Sequence, residues 1–249
     1  MDHPPFRNAG NAGPFTPDGT RTNRIGHRAA VELDPGPDVA DHVRALLAWL
    51  DDAREIQVVV THGHRDHAAA APRLADHLKV PVMGPADVTG VDRPLADGAR
   101  LGTDAGTLVA VDTPGHAEHH LSFHWEERHA VFVGDLMLGS GDTTWVAEYP
   151  GCVADYLDSL GRIRRLAPRV LYPAHGEPLT DTEGALDRYE AHKRSRIRQV
   201  EAALRENPEA TPTELLGAVY GSVVPAGMEG AARRSLEALV EFVRAGARR

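Results

Sequence analysis

The sequence predicts an α/β fold, because short Val-rich segments typical of buried strands alternate with longer segments that have the apolar spacing of helices. Residues 56–60, 130–133 and 170–172 are the clearest strands. Residues 38–54 are the clearest helix, since their apolar side chains recur at intervals of three and four. The length of 249 residues fits one substantial domain with a small appendage.

The N-terminal half opens with a segment rich in Pro, Gly and Asn, which predicts a loop lying over the domain. The predicted elements follow in this order: a loop at residues 1–19, a strand at 28–33, a helix at 38–54, a strand at 56–60, a short helix ending near residue 78 and a strand at 80–83. Asp38 is the expected N-cap of the first helix, because aspartate accepts hydrogen bonds from the free N–H groups there.

The second half continues the alternation and then becomes helical. Its predicted elements are strands at residues 107–112, 121–125 and 130–133, a helix at 155–166, a strand at 170–172 and helices at 183–206, 211–220 and 229–245. Thr211 and Glu214 form a capping pattern at the start of the second of these last three helices. We therefore expect one main domain at residues 1–177 and a helical region at residues 178–249.

Composition limits the classes of function. The formal net charge of −9 argues against a protein that holds nucleic acid through overall positive charge. A single cysteine, Cys152, excludes an internal disulfide framework and fits a reducing compartment. The chain shows no apolar leader and no stretch near the roughly 18 apolar residues that a membrane span needs. We expect a cytoplasmic protein without a membrane partner, and its oligomeric state stays open.

The most informative motif follows the strand at residues 56–60. It is His62-Gly-His64-Arg-Asp66-His67, which places three imidazoles and a carboxylate within one turn. Neutral imidazole combined with carboxylate is the ligand mix that suits zinc, iron or manganese. The motif therefore predicts a metal site at the end of this strand.

Three later segments repeat the same arrangement of a strand followed at once by a residue able to bind metal. They end in His116 (Thr-Pro-Gly-His), Asp135 (Gly-Asp) and His175 (Pro-Ala-His-Gly). Any one histidine among the 14 in this chain is better explained as a core or surface residue. Seven such residues in order, each after a strand, favour a shared site instead.

The order H-x-H-x-D-H, T-P-G-H, G-D and H-G resembles the metallo-β-lactamase superfamily over residues 15–200. Within it the chain is most similar to the subgroup called β-lactamase-like protein 2, on the stretches 13–16, 134–138, 172–176 and 189–194. This resemblance implies a four-layer αββα sandwich with the metal site at one edge between two sheets. It also implies a C-terminal winged-helix module, for which residues 229–249 leave no room for a wing hairpin.

The resemblance further implies two divalent metal ions, with zinc expected and manganese or iron as alternatives. Carried over by position, the first metal's ligands are His62, His64 and His116, the second metal's are Asp66, His67 and His175, and Asp135 bridges both. A hydroxide shared by the metals would attack the substrate, and Asp66 would orient it or relay its proton. Asp34 and His120 would hold the ligands in place.

Other residues with the same chemistry have simpler explanations. His119, His124 and His129 are expected at strand ends or in solvent. Cys152 is expected to be an ordinary small residue, because Asp135 already takes the place of a cysteine ligand. The basic run at residues 192–198 is expected to be the solvated face of a helix.

One departure from the family lies at residues 19–26, Gly-Thr-Arg-Thr-Asn-Arg-Ile-Gly. Two arginines and an asparagine stand where relatives carry residues that favour strands. The pairing of the first strand and the neighbouring pocket wall are therefore open at the level of sequence.

These observations favour a dinuclear hydrolase that acts on an ester, a thioester or a related small acyl substrate, with Thr143, Thr144 and Trp145 in the substrate pocket. Two alternatives stay open: a single-stranded RNA endonuclease of the β-lactamase-like protein 2 type, and a mononuclear iron persulfide oxidoreductase. Only 39 residues separate Asp135 from His175, which excludes nucleases with a domain inserted there.

Overall fold

Two β-sheets form the centre of the molecule. The computed structural model describes residues 3–13, 16, 18–221 and 229–246. The first sheet has six strands in sequential order: β1 (Phe6–Asn8), β2 (Arg21–Ile25), β3 (Ala29–Leu33), β4 (Glu55–Val59), β5 (Val82–Gly84) and β6 (Arg93–Pro94). The second has five strands in the reverse order, beginning at β11: β7 (Arg100–Thr103), β8 (Gly106–Asp112), β9 (Leu121–Trp125), β10 (Ala130–Gly134) and β11 (Val170–Pro173).

Helices cover the outer face of each sheet. The helices are α1 (Ala40–Leu50), α2 (Arg65–Ala68), α3 (Ala71–Leu78), α4 (Cys152–Arg165), α5 (Thr182–Glu206), α6 (Pro212–Tyr220) and α7 (Glu229–Gly246), with a 3-10 turn at Glu126–Arg128. Leu46 and Leu74 of α1 and α3 pack on Val58 of the first sheet. Helices α4 to α7 pack on β10 and β11 of the second. The four-layer sandwich that the resemblance implies is confirmed.

The core between the sheets is apolar and fully buried. Val31 and Val59 of the first sheet meet Leu108, Phe123 and Phe132 of the second. These residues alternate along their strands with residues that face the helices, which is the two-residue period of a sheet covered on both faces. Burial on both faces explains why these strands are almost continuously apolar in the sequence.

The sheet topology brings the ends of the motif strands together. Strand β9 runs antiparallel to both β8 and β10, and β10 runs parallel to β11. Strands β8, β10 and β11 therefore end at the same edge. Two backbone hydrogen bonds join this edge to the first sheet, from Leu121 N to Thr61 O at 2.8 Å and from Arg21 N to Ala174 O at 2.8 Å.

The N-terminal segment differs from the prediction of a loop across residues 1–19. Strand β1 pairs antiparallel with β2, with Arg7 opposite Thr22. Strand β2 forms in spite of its polar composition, because the ends of its two arginine side chains find partners in other segments. Arg21 lies over the ring of Phe6 and pairs with Glu177, and Arg24 donates to the Trp49 carbonyl at the end of α1. Residues 14 and 15, within the family-like stretch 13–16, lie outside the described residues.

Two predicted helix starts give different results. Asp38 is not the N-cap of α1, which begins after Val39 without a side-chain cap, and Asp38 pairs instead with Arg73 at 3.0 Å. The capping box of Thr211 and Glu214 at the start of α6 is confirmed.

The C-terminal helices share a core with the second sheet. Leu186 of α5 and Leu236 of α7 belong to the same buried cluster as Val131 of β10 and Tyr156 of α4. This shared core fixes α7 against the edge where the motif strands end. Over the part of the chain that the structure describes, no helix is both long enough and apolar enough to cross a membrane.

Candidate metal centre

The first histidines lie where β4 ends and α2 begins. The chain leaves β4 through Thr61, so that His62 and His64 precede the short helix while Asp66 and His67 lie in its first turn. His62 and His67 are fully buried. A strand, a tight connection and one helical turn thus aim all four side chains into the same cleft.

Three imidazole nitrogens meet at one point. His64 Nδ1 lies 2.9 Å from His62 Nε2 and 3.0 Å from His116 Nε2. His116 reaches this point from the loop after β8, where Gly115 has φ +134° and a Cβ atom would stand 2.5 Å from the Tyr156 Cα of α4. The close packing of α4 on this loop therefore requires glycine next to the histidine.

The outer nitrogen of each of these rings faces an oxygen atom. His62 Nδ1 lies 2.9 Å from the Thr61 hydroxyl, His64 Nε2 lies 2.6 Å from Glu148 Oε1, and His116 Nδ1 lies 2.9 Å from the Trp145 carbonyl. The Thr61 hydroxyl donates to Asp34, so it accepts from His62. These partners assign the protons to the outer nitrogens and leave three lone pairs facing one another. Lone pairs at this spacing repel unless a cation lies among them, so the three residues fit a metal ion.

A second group of ligands lies beside the first. His175 Nε2 lies 3.2 Å from Asp66 Oδ2, and His67 Nε2 lies 3.4 Å from the same oxygen. The outer nitrogen of His67 donates to Asp34 Oδ2 at 3.0 Å, and that of His175 donates to the Gly19 carbonyl at 3.0 Å. The inner nitrogens of both rings are buried without a hydrogen-bond partner among the described residues. Asp66, His67 and His175 therefore also have the donor set of a metal site.

Asp135 lies between the two groups. Its Oδ1 is 3.5 Å from His67 Nε2 and 3.4 Å from His175 Nε2, while its Oδ2 is 3.6 Å from His116 Nε2. Oδ1 is buried and accepts no hydrogen bond from a described residue. Each oxygen of one carboxylate thus faces a different group of imidazoles, which is the arrangement that two neighbouring cations would share.

Burial and neighbouring charges set the protonation of these groups. Burial lowers the pKa of His62, and the adjacent imidazoles lower it further, so its lone pair is available. Burial also lowers the pKa of His67, but Asp135 and Asp34 outweigh it and raise the pKa overall. A proton and a metal ion therefore compete for His67 Nε2. Burial opposes ionisation of Asp135, yet the charges of His67 and His116 hold the pKa of its carboxyl below the usual range.

His120 and Asp34 support the centre from outside. The His120 ring is fully buried, with Nδ1 at 2.9 Å from the Thr113 hydroxyl and Nε2 accepting from Asp135 N at 3.4 Å. Burial lowers the pKa of His120 to about 3, which keeps the ring neutral. A Cβ atom on Gly134 would stand 2.7 Å from His120 Nε2, so the residue before Asp135 must be glycine. Asp34 also accepts the Thr61 N–H at 2.7 Å.

The predicted pocket residues serve the centre in different ways. Thr144 is buried and donates its hydroxyl to the Asp135 carbonyl at 2.9 Å. Trp145 offers its carbonyl to His116, and its half-buried ring lies against Arg234 of α7. Thr143 is exposed, and its hydroxyl donates to the Thr144 carbonyl at 3.3 Å.

Several histidines and the cysteine lie apart from the groups of possible metal ligands. Cys152 is buried at the start of α4 among apolar residues. His129 is exposed, His119 is half-buried in the loop before β9, and His124 lies half-buried on β9. None of these four belongs to a group of possible ligands among the described residues.

Sequence reasoning missed Glu148 and Thr61, which orient His64 and His62. Thr61 could have been found, because it directly precedes the first motif histidine and carries a hydroxyl. Glu148 carries no comparable signal, since it lies 84 residues from His64 in the chain and only the folded loop brings the two together.

The comparisons with known proteins identify the family of this chain. The profile of the metallo-beta-lactamase superfamily matches residues 85–175. A beta-lactamase-like protein 2 homolog of Caenorhabditis elegans is 32% identical over 222 residues, covering 84% of this chain and 74% of the relative. An atrochrysone carboxyl ACP thioesterase of Aspergillus chevalieri is 32% identical over 249 residues, covering 94% and 77%.

A solved structure confirms the fold. A metallo-beta-lactamase family protein of Thermus thermophilus superposes with a TM-score of 0.81 at 19% identity, covering 98% of this chain and 93% of that one. The family predicted from the order of the motifs is confirmed, and this chain belongs to the metallo-β-lactamase superfamily.

Proposed function

We propose that this protein is a dinuclear metal-dependent hydrolase that acts on an ester or thioester of a small acyl group. The observation that carries this proposal is the position of Asp135, whose two oxygens face two separate groups of buried imidazoles. A relative of similar sequence is an acyl carrier protein thioesterase, which supports the choice of acyl substrate.

The proposed ligands form two sets that share one carboxylate: His62, His64 and His116 for one metal, Asp66, His67 and His175 for the other, and Asp135 for both. Five imidazoles and two carboxylates suit zinc, and the same donors accept manganese or iron. Bound divalent cations would supply an activated water at neutral pH and polarise the acyl carbonyl.

Asp66 has the position of a residue that orients the attacking water and accepts its proton. Its side chain is 28% exposed against 10% for Asp135, so it borders the space that a substrate would enter. Burial alone would raise the pKa of Asp66, but the nearby imidazoles of His175 and His67 outweigh it and hold the pKa below the usual range. Such a carboxylate accepts a hydrogen bond from water and orients it, and it passes a proton on to the leaving group rather than retaining it.

The structure of the basic run at residues 192–198 favours an acyl substrate over RNA. Lys193 is buried and lies over the ring of Tyr156, so the expectation of a fully solvated basic face is wrong for this residue. Arg194 pairs with Glu190 at 2.7 Å, and Arg196 donates to the Val219 carbonyl at 2.6 Å. Cations engaged in this way are poorly placed to neutralise a row of phosphates.

Metal analysis together with a substrate panel tests the proposal. We expect about two divalent metals per chain and hydrolysis of simple acyl thioesters or esters. His67→Ala should lose one metal and nearly all hydrolysis, because it removes a ligand of one set only. His77→Ala is the matched control, since His77 is exposed on α3 and belongs to none of the groups of possible ligands among the described residues.

Other results would contradict the proposal. One iron per chain, with oxygen consumed in the presence of a persulfide, would identify the oxidoreductase. Cleavage of single-stranded RNA without thioester hydrolysis, falling steeply as salt rises, would identify the nuclease.

A further inference from the structure

An arginine of the C-terminal helix has no ionic partner among the described residues. Arg234 lies on α7 with its guanidinium over the ring of Trp145, 5.2 Å from the ring centroid. Its side chain is exposed and forms no salt bridge or hydrogen bond with any residue that the structure describes. Stacking uses the face of a guanidinium and leaves the N–H groups at its edge free to bind another group.

Packing of α7 places this arginine beside the loop that carries Trp145. Leu236, Leu239 and Val240 of α7 are buried in the cluster that α4 and α5 share. Ala231 and Ala238 are at least half-buried and lie one turn before and after Arg234. Residues three or four apart lie on the same side of a helix, so Arg234 borders the packed face rather than the solvent face of α7.

One contact and one electrostatic interaction connect Arg234 to the metal centre. The Trp145 carbonyl accepts the hydrogen bond from His116, so the indole that supports the arginine belongs to a residue in contact with a proposed ligand. The positive charge of Arg234 also acts on Glu148, the carboxylate that accepts from His64. The guanidinium therefore lies at the rim of the centre, on the side formed by the loop at residues 143–148.

We infer that Arg234 binds an oxyanion group of the acyl substrate, either a carboxylate on the acyl group or a phosphate on the thiol side. This inference rests on the proposed function. A guanidinium matches both groups through paired N–H donors. A cation at the rim of the centre would attract such an anion locally, although the formal net charge of the protein is −9.

Three thioesters that differ by one charged group test this inference: acetylpantetheine, succinylpantetheine and acetylphosphopantetheine. The parent protein should prefer one charged thioester to the neutral one, measured as the ratio of their kcat/KM values. Arg234→Gln should reduce that ratio about tenfold, mainly through KM, because a charge-assisted hydrogen bond distant from the reacting carbonyl is lost. The thioester whose preference falls identifies the source of the oxyanion.

Arg233→Gln is the matched control. Arg233 is the adjacent residue, is exposed and pairs with Glu237 at 3.1 Å, so its loss should leave the ratio unchanged. Equal kcat/KM values for the three thioesters, or an equal decrease of all three in Arg234→Gln, would overturn the inference while the proposed function stands.

A direct binding measurement separates this inference from the proposed function. If none of the three thioesters is hydrolysed, the proposed function fails for thioesters. Calorimetric binding of succinate, phosphopantetheine and pantetheine then decides the role of Arg234. Tighter binding of either anion that is lost in Arg234→Gln supports an oxyanion site, and binding that is equal in the two proteins refutes it.

Discussion

Replacement of Asp34 by asparagine would test how the second group of ligands is oriented. Asp34 Oδ1 accepts the Thr61 N–H at 2.7 Å, and Oδ2 accepts the His67 Nδ1–H at 3.0 Å. An asparagine has one carbonyl oxygen, so it can satisfy only one of these two donors. The backbone tolerates the change, because residue 34 has φ +54° and asparagine adopts this left-handed conformation readily.

The expected effect on binding of the second cation follows from His67, whose ring loses its hydrogen-bond acceptor. If the asparagine carbonyl keeps the Thr61 bond, its amide N–H groups face His67 Nδ1, and the ring gains a partner only by moving its proton to Nε2. That proton would occupy the nitrogen proposed to bind metal. Loss of one hydrogen bond of an ionised group corresponds to about 1.5–3 kcal/mol. We therefore expect the second cation to bind about 10–100-fold more weakly.

Competition against a chromophoric chelator measures both affinities in one titration of metal-free protein with zinc. The affinity for the first cation should be nearly that of the parent, because Asp34 reaches the group of His62, His64 and His116 only through Thr61. Asp104→Asn is the control, since Asp104 also accepts several backbone N–H groups but does so at the turn of His27 and Arg28. Parent affinities for both cations in Asp34→Asn would refute the proposed orientation of His67.

Three further predictions concern the shared carboxylate, the buried lysine and the basic run. Asp135→Asn should remove most hydrolysis and weaken the binding of both metals in the same chelator titration, while the circular dichroism spectrum stays unchanged. Hydrolysis at the parent rate would show that the two metals do not share Asp135. Burial lowers the pKa of Lys193 to about 8, from 10.5 in the unfolded chain. The folded state therefore binds fewer protons than the unfolded state between these two pH values, and the parent protein gains stability as the pH rises through them. Lys193→Met should therefore raise the free energy of unfolding at pH 7 by up to about 3 kcal/mol, and this advantage should vanish by about pH 10.5 in urea titrations; an advantage independent of pH would contradict the argument. Arg194→Glu combined with Arg198→Glu should leave thioester hydrolysis within about twofold of the parent, because both side chains are exposed on α5, and a large decrease would favour an anionic macromolecule as substrate.

The sequence was sufficient to predict which histidines and aspartates supply the inner atoms of the centre, because they lie in short motifs that follow apolar runs. A strand buried on both faces must be apolar throughout, so an apolar run marks its length. The first polar residue after the run is then expected at the end of the strand. His116, Asp135 and His175 could be located in this way without knowledge of the sheet order. The identity of the family followed from the same order of motifs.

Local patterns were less informative where the backbone is stabilised by distant partners. Strand β1 has no apolar period, since Phe6–Asn8 is exposed and is held by pairing with β2. Arg21 and Arg24 disfavour a strand by composition, yet they donate hydrogen bonds to Glu177 and to the Trp49 carbonyl, which lie 156 and 25 residues away. Asp38 has the residue type of an N-cap but pairs with Arg73 instead.

The sequence by itself determined the types of ligand and the strands that carry them, because both are properties of short segments. Only the tertiary structure decided which oxygen of Asp135 faces which group of imidazoles, and which partners orient the rings. It also decided that Glu148 holds His64 and that Arg234 of the last helix reaches Trp145. These contacts join residues that are 84 and 89 positions apart, and chain segments so distant meet only when the sheets and helices pack around a common core.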